Sequence, residues 1–145
     1  MALFASLPYL LSTATTFAFG FVSDRFTRKA PFCAVGLAVA GLGIMLAAYA
    51  PDPLLSAILI TLGSAIWGIA TPAYYAISQR IIPSAIVATG TGIDNGLANL
   101  GASAIPLVVG WLIAVTDSYF AGLMLLAFAG FLGALAMVVL ALQRY

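Results

Sequence analysis

The stretch Gly20-Phe-Val-Ser-Asp-Arg-Phe-Thr-Arg-Lys-Ala-Pro31 (GFVSDRFTRKAP) holds four of the nine charged residues of a 145-residue chain. The whole chain is 64% hydrophobic and 6% charged, with a mean hydropathy of +1.18. A soluble domain of this size carries about 25% charged residues. The stretch is therefore a polar connection between segments built for an apolar medium. Charge-free runs longer than about 18 residues are candidate membrane spans.

Outward from this connection, charges and turn residues divide the chain into five apolar runs, 1–22, 32–50, 54–78, 92–115 and 119–142. At ~1.5 Å per residue, each helix reaches about 30 Å, enough to cross a bilayer. The sequence thus predicts an all-α, polytopic membrane helix bundle with five transmembrane helices, forming one domain over 1–145. The short connections force neighbouring helices to run antiparallel. Arg25, Arg28 and Lys29 follow the first run, Arg80 the third and Arg144 the fifth, whereas Asp52 and Asp117 fall at the opposite ends. The positive-inside rule then puts the cations in the cytoplasm, the N-terminus outside and the C-terminus inside. The N-terminus lacks the basic region of a signal peptide.

Several function classes are excluded. The chain has no histidine, no glutamate and one cysteine, Cys33, which cannot form an internal disulfide. That leaves no nucleophile–base pair, so an enzyme is not expected, and no metal or other cofactor is implied. A net charge of +1 points to no nucleic-acid partner. The partners expected are the lipid bilayer and a small organic solute.

Polarity separates the runs. The second and fifth are almost purely apolar and are expected to face lipid. The first spaces Tyr9, Ser12, Thr16 and Gly20 on a helical stripe, the third Ser64, Trp67, Thr71, Tyr74 and Ser78, the fourth Asn95, Asn99 and Ser103. Polar side chains in a bilayer turn to a bundle interior or a water-filled cavity. The first, third and fourth helices are therefore expected to share a polar path. Trp67, Tyr74, Ser78, Asn95 and Asn99 are the candidate solute-binding residues. Ser12, Thr13, Thr15 and Thr16 are equally explained by hydrogen bonds to the preceding turn. Trp67, Tyr74 and Tyr75 are also compatible with packing, and Asn95 and Asn99 with helix–helix hydrogen bonding. Gly36, Gly41, Gly63, Gly130 and Gly133 are expected at helix contacts. Pro72 frees the Gly68 carbonyl, as a static bend or as a hinge. Asp94 has two readings. If the helix starts after Gly90 and Gly92, Thr91-Gly-Ile-Asp94 is a cap. If it starts near Pro83-Ser84, Asp94 lies two to three turns deep and is a possible coupling site for a proton or cation.

The pattern Gly20-x-x-x-Asp24-Arg25-x-x-Arg28-Lys29 resembles the signature loop of major facilitator superfamily transporters, with Thr27 in place of the usual turn glycine. Asn95-Gly-Leu-Ala-Asn99-Leu-Gly101, Pro106-Leu-Val-Val-Gly110-Trp111 and Thr116-Asp-Ser-Tyr119 resemble helix eleven of its anion:cation symporter family. The resemblance covers essentially the whole chain as helices eight to twelve, a partial major facilitator fold, and Asn99 matches an asparagine that contacts substrate. It implies a secondary active transporter in the cell membrane, the inner membrane of a bacterium. A proton or sodium gradient would move an organic anion such as a sugar acid by alternating access. It implies that helices one to seven, the N-terminal transporter half, lie outside this chain as its partner. Gly20, Asp24, Arg25, Arg28 and Lys29 would then form the loop that stabilises one alternating state. Gly20 would admit a neighbouring helix, and the cations would pair with carboxylates or lipid phosphates. The plainer reading of this loop is a topology anchor. A drug or sugar efflux protein of the same superfamily is the alternative, and a non-transporting membrane partner module is another.

Overall fold

In the computed structural model, which describes the backbone of residues 2–143 and the side chains from residue 6 onward, the chain is a bundle of five helices. They are α1 (Ala2–Asp24), α2 (Ala30–Ala48), α3 (Pro53–Ile81), α4 (Val87–Thr116) and α5 (Tyr119–Leu142), with a 3₁₀ turn at Ser84–Ile86 leading into α4. No strand occurs among the described residues. Four of these segments, α2, α3, Ser84–Thr116 and α5, are long and apolar enough to cross a membrane. The chain is therefore a multi-pass membrane protein by length and composition. α1 is comparable to them in length, at 23 residues.

Local chemistry sets the boundaries. Pro53 opens α3 at a position where its missing N–H costs nothing. The same helix ends because Ile82 precedes Pro83 and is held extended, at ψ 126°. Asp117 closes α4 in the left-handed region, φ 50°, and its N–H donates to the Ile113 carbonyl at 2.8 Å. Asp is among the few residues that tolerate this conformation. Ser118 then caps α5, its hydroxyl accepting from the Phe120 N–H at 3.2 Å.

One expected boundary is corrected. α4 begins at Val87, not at 92, and runs straight through Gly90 and Gly92, neither of which takes a positive φ. Each glycine costs a helix up to about 1 kcal/mol. Unpaired backbone groups in an apolar medium cost several kcal/mol each, so the helix continues.

The packing is inside-out relative to a soluble protein. The buried set is mostly alanine, including Ala30, Ala40, Ala47, Ala65, Ala70 and Ala73, whereas Phe17, Leu100 and Leu107 stay more than two-thirds exposed. Without a hydrophobic drive between helices in lipid, close backbone approach supplies the adhesion. α2 packs along both α3 and α5 and lies at the centre. Small residues rather than polar ones decide its neighbours, and its remaining face, with Val35, Val39, Leu42 and Leu46, stays exposed. A Cβ on Gly36 would lie 3.0 Å from Ala70 Cβ of α3, and one on Gly43 would lie 3.0 Å from Gly63 Cα. On the other side, a Cβ on Gly130 of α5 would lie 3.2 Å from Gly41 Cα. α1 is held by α3, and α4 mainly by α5, with a brief contact to α3. None of the α4 residues is buried.

Charge is sorted by the ends of the bundle. Arg80, near the end of α3, donates from Nη1 to the Thr27 carbonyl at 3.0 Å, which puts it at the same end as Arg25, Arg28 and Lys29. At the other end the Tyr49 and Phe120 rings meet edge-on at 5.2 Å, joining the connections that carry Asp52 and Asp117. Arg144 lies outside the described residues. Cysteines introduced at the exposed positions Thr27 and Ser84 should react with an impermeant thiol reagent from one side of the membrane, and one at Asp117 from the other. The native thiol, Cys33, is buried and donates to the Ala70 carbonyl, so background labelling should be low. Labelling of Thr27 and Asp117 from the same side would refute this arrangement.

Candidate functional site

The closest polar contact between α3 and α4 is the hydroxyl of Tyr74, which donates to Asp94 at 2.8 Å from Oδ1 and 2.6 Å from Oδ2. Tyr74 lies seven residues before Ile81, and Asp94 lies seven residues after Val87. In an antiparallel pair those offsets put both at the same height, ~10 Å from the turn. Asp94 is therefore two turns inside α4, and its reading as a helix cap is overturned. The carboxylate is half-buried and has no cation within salt-bridge distance, since the single ion pair among the described residues joins Lys29 to Asp24. Tyr74 is held from behind by the core of Ala30, Cys33, Ala70, Ala73 and Ile77. Its ring also meets Tyr75 edge-on at 5.6 Å. Ser78 follows one turn along the same face of α3, half-buried.

Beside this pair an open cleft of about 660 Å³ is lined by Gln79 of α3, Ser84 and Val87, Ala88, Thr91, Gly92 and Asn95 of α4. Asn95 continues upward to Asn99, whose Nδ2 donates to the Asn95 carbonyl at 2.8 Å and to its Oδ1 at 3.2 Å. Both asparagines are exposed. The Asn99 amide nitrogen is thus used within the helix, while no hydrogen bond to Asn99 Oδ1 or from Asn95 Nδ2 occurs among the described residues. Ser103 bonds back to the Leu100 carbonyl at 2.8 Å.

Trp67 belongs elsewhere. Together with Tyr9, Ser12, Ser64 and Gly63 it lines a second, mostly apolar groove of about 490 Å³ between α1, α2 and α3. The expected single polar path through α1, α3 and α4 is therefore two separate grooves in this chain. The α1 stripe is largely spent on packing: Thr13 bonds the Tyr9 carbonyl, Thr16 the Ser12 carbonyl, and Thr15 both the Ser12 carbonyl and the Ala65 carbonyl of α3. α3 runs unbroken through Pro72.

In the loop between α1 and α2, Lys29 is buried. Its Nζ donates to the Ser23 carbonyl at 2.8 Å, to Ser23 Oγ at 3.3 Å and to Asp24 Oδ1 at 3.2 Å. Arg25 and Arg28 are exposed. Gly20 was expected to admit a neighbouring helix, but nothing lies within 4 Å of where its Cβ would be.

The Tyr74–Asp94 contact and the roles of Gln79, Ser84 and Thr91 were missed from the sequence. Tyr74 and Asp94 lie at equal offsets from the facing helix ends at Ile81 and Val87, which stayed hidden while the start of α4 was placed five residues late. No protein-family model matches this chain, and no curated protein matches it.

Proposed function

We propose that this chain is part of a secondary active transporter of the major facilitator type, in which α3 and α4 contribute one wall of the solute path. The carrying observation is Asp94, a carboxylate two turns inside a membrane-length helix, bonded to a tyrosine and not to a cation. A charged group at membrane depth costs about 2.5–3.5 kcal/mol and marks an ion or proton pathway by default. The exposed Asn95, which lines the open cleft, and Asn99, one turn further along α4, supply donors and acceptors for a solute. The only described basic residue on these two helices is Arg80, at the loop end of α3. For an organic anion such as a sugar acid, the counter-charge would come from further helices that cover the open faces of α1 and α4. Coupling to a proton or sodium gradient fits the carboxylate. By the positive-inside rule the end bearing Arg25, Arg28, Lys29 and Arg80 faces the cytoplasm, with the N-terminus outside. A bacterial inner membrane is the proposed location.

The test is Asn99→Ala in the assembled transporter, with uptake and detergent melting measured side by side. A lost neutral hydrogen bond is worth ~0.5–1.5 kcal/mol and one to a charged group ~1.5–3. At ~1.4 kcal/mol per decade, KM should rise between a few-fold and about a hundredfold with melting nearly unchanged. Lower melting with an unchanged KM would make the Asn95–Asn99 rung a stabilising device and remove it from the solute path.

A further inference from the structure

Beyond transport, the cationic end of the bundle has the features of a lipid site. Arg25, Arg28, Lys29 and Arg80 gather there against the single carboxylate of Asp24, a net of three positive charges among the described residues. Lys29 is already used: it is buried, and its ammonium binds Ser23 and Asp24. That clamp fixes the Arg25–Lys29 loop against α1 and takes up the one local acid. Arg80 comes from a different helix and is tied to the same loop by the Thr27 carbonyl, which uses one of its five N–H donors. Arg25 and Arg28 are exposed and have no carboxylate partner among the described residues. The other acids are spoken for: Asp94 accepts from Tyr74, and Asp52 and Asp117 sit at the far end. Phe26, next to Arg25, packs at 4.8 Å on Phe32 yet stays half exposed, an apolar body beside the arginines. Three guanidinium groups thus remain on two segments tied together at one end of the bundle.

We propose that Arg25, Arg28 and Arg80 form a binding site for an anionic phospholipid headgroup, best matched by a lipid with two phosphates. Guanidinium forks pair two-on-two with phosphate oxygens, and three free cations exceed what one phosphodiester neutralises. Basic clusters just cytoplasmic of membrane helices recognise anionic lipids in this way.

The experiment places the purified chain in phosphatidylcholine bilayers and reads, by electron spin resonance, the immobilised fraction of spin-labelled cardiolipin, phosphatidylglycerol and phosphatidylcholine. The expected order is cardiolipin, then phosphatidylglycerol, then phosphatidylcholine, with the preference falling as salt rises. Arg25→Gln, Arg28→Gln and Arg80→Gln should each lower the cardiolipin preference about five-fold. These side chains are exposed, and circular dichroism checks that helix content is kept. Equal immobilisation of all three lipids, or a preference unchanged in the arginine variants, overturns the site. If a variant fails to insert, the wild-type salt titration decides, and a salt-independent preference overturns the site as well. Displacement of cardiolipin by inorganic phosphate would assign the three arginines to a soluble phosphate and overturn the lipid assignment.

Discussion

Gly68→Ala detaches α1 from α3. A Cβ at this position would collide with Thr15 Oγ1 and with the Ser12 carbonyl, and it would sit 2.9 Å from Thr16 Oγ1. A hydroxyl can rotate away, but the Ser12 carbonyl is backbone and moves only if α1 moves. Displacing α1 also removes the Thr15 bond to the Ala65 carbonyl, the hydrogen bond that joins the two helices. Alanine is the better helix former by about 0.8–1.0 kcal/mol. Overpacking of this kind costs ~1–3 kcal/mol and can exceed that against backbone, so the clash wins. The measurement is thermal unfolding in detergent, with Gly110→Ala as the control. Nothing lies within 4 Å of a Cβ at Gly110, so there only the propensity gain remains and melting should hold or rise. Equal melting of the two variants would mean that α1 is not seated on α3 through Gly68.

Asp94→Asn should abolish accumulation of solute against a gradient while downhill exchange continues. The replacement keeps the side-chain shape, and its amide oxygen still accepts from Tyr74. The tie between α3 and α4 therefore weakens only from a charge-assisted bond, ~1.5–3 kcal/mol, to a neutral one, ~0.5–1.5 kcal/mol. Expression and melting should change little. What is lost is a group that can bind and release a proton or face a cation. Tyr74→Phe separates the roles: it keeps the carboxylate but leaves it without its donor, at about 1–3 kcal/mol. Melting should fall there while some coupling survives. Wild-type accumulation in Asp94→Asn would reduce Asp94 to a structural tie and remove the main support for the transport reading.

The helices were legible in the sequence because each depends on local chemistry, and their ends were placed within a few residues, except the start of α4, which came five residues late. Charge-free length, Pro53 at a helix start, Pro83 after a helix end and the alternation of cations with aspartates report on single segments and their connections. The bundle order was not legible. α2 carries no polar stripe and was expected on the lipid side, yet it is central, because in an apolar medium an apolar face carries no instruction about which way to turn. What seats α2 is backbone approach at Gly36, Gly41 and Gly43, and the partners of those glycines, Ala70, Gly130 and Gly63, are visible only once the helices are assembled. The candidate site divides the same way. Asn95 and Asn99 were found by spacing, since four residues on one helix share a face whatever surrounds it, and their mutual hydrogen bond is local. Tyr74 and Asp94 were singled out separately, but joining them required the length of α4 beyond two glycines. The cost of unpaired backbone in an apolar environment carries the helix through them, and that is a property of the surroundings, not of glycine. The sequence by itself determined an apolar, all-helical, multi-pass chain with its charges sorted to opposite ends. Only the tertiary structure decided that Asp94 meets Tyr74, that Arg80 joins the Arg25–Lys29 loop, and that α2 is the core, because contacts between helices depend on backbone shape, which no single segment carries alone.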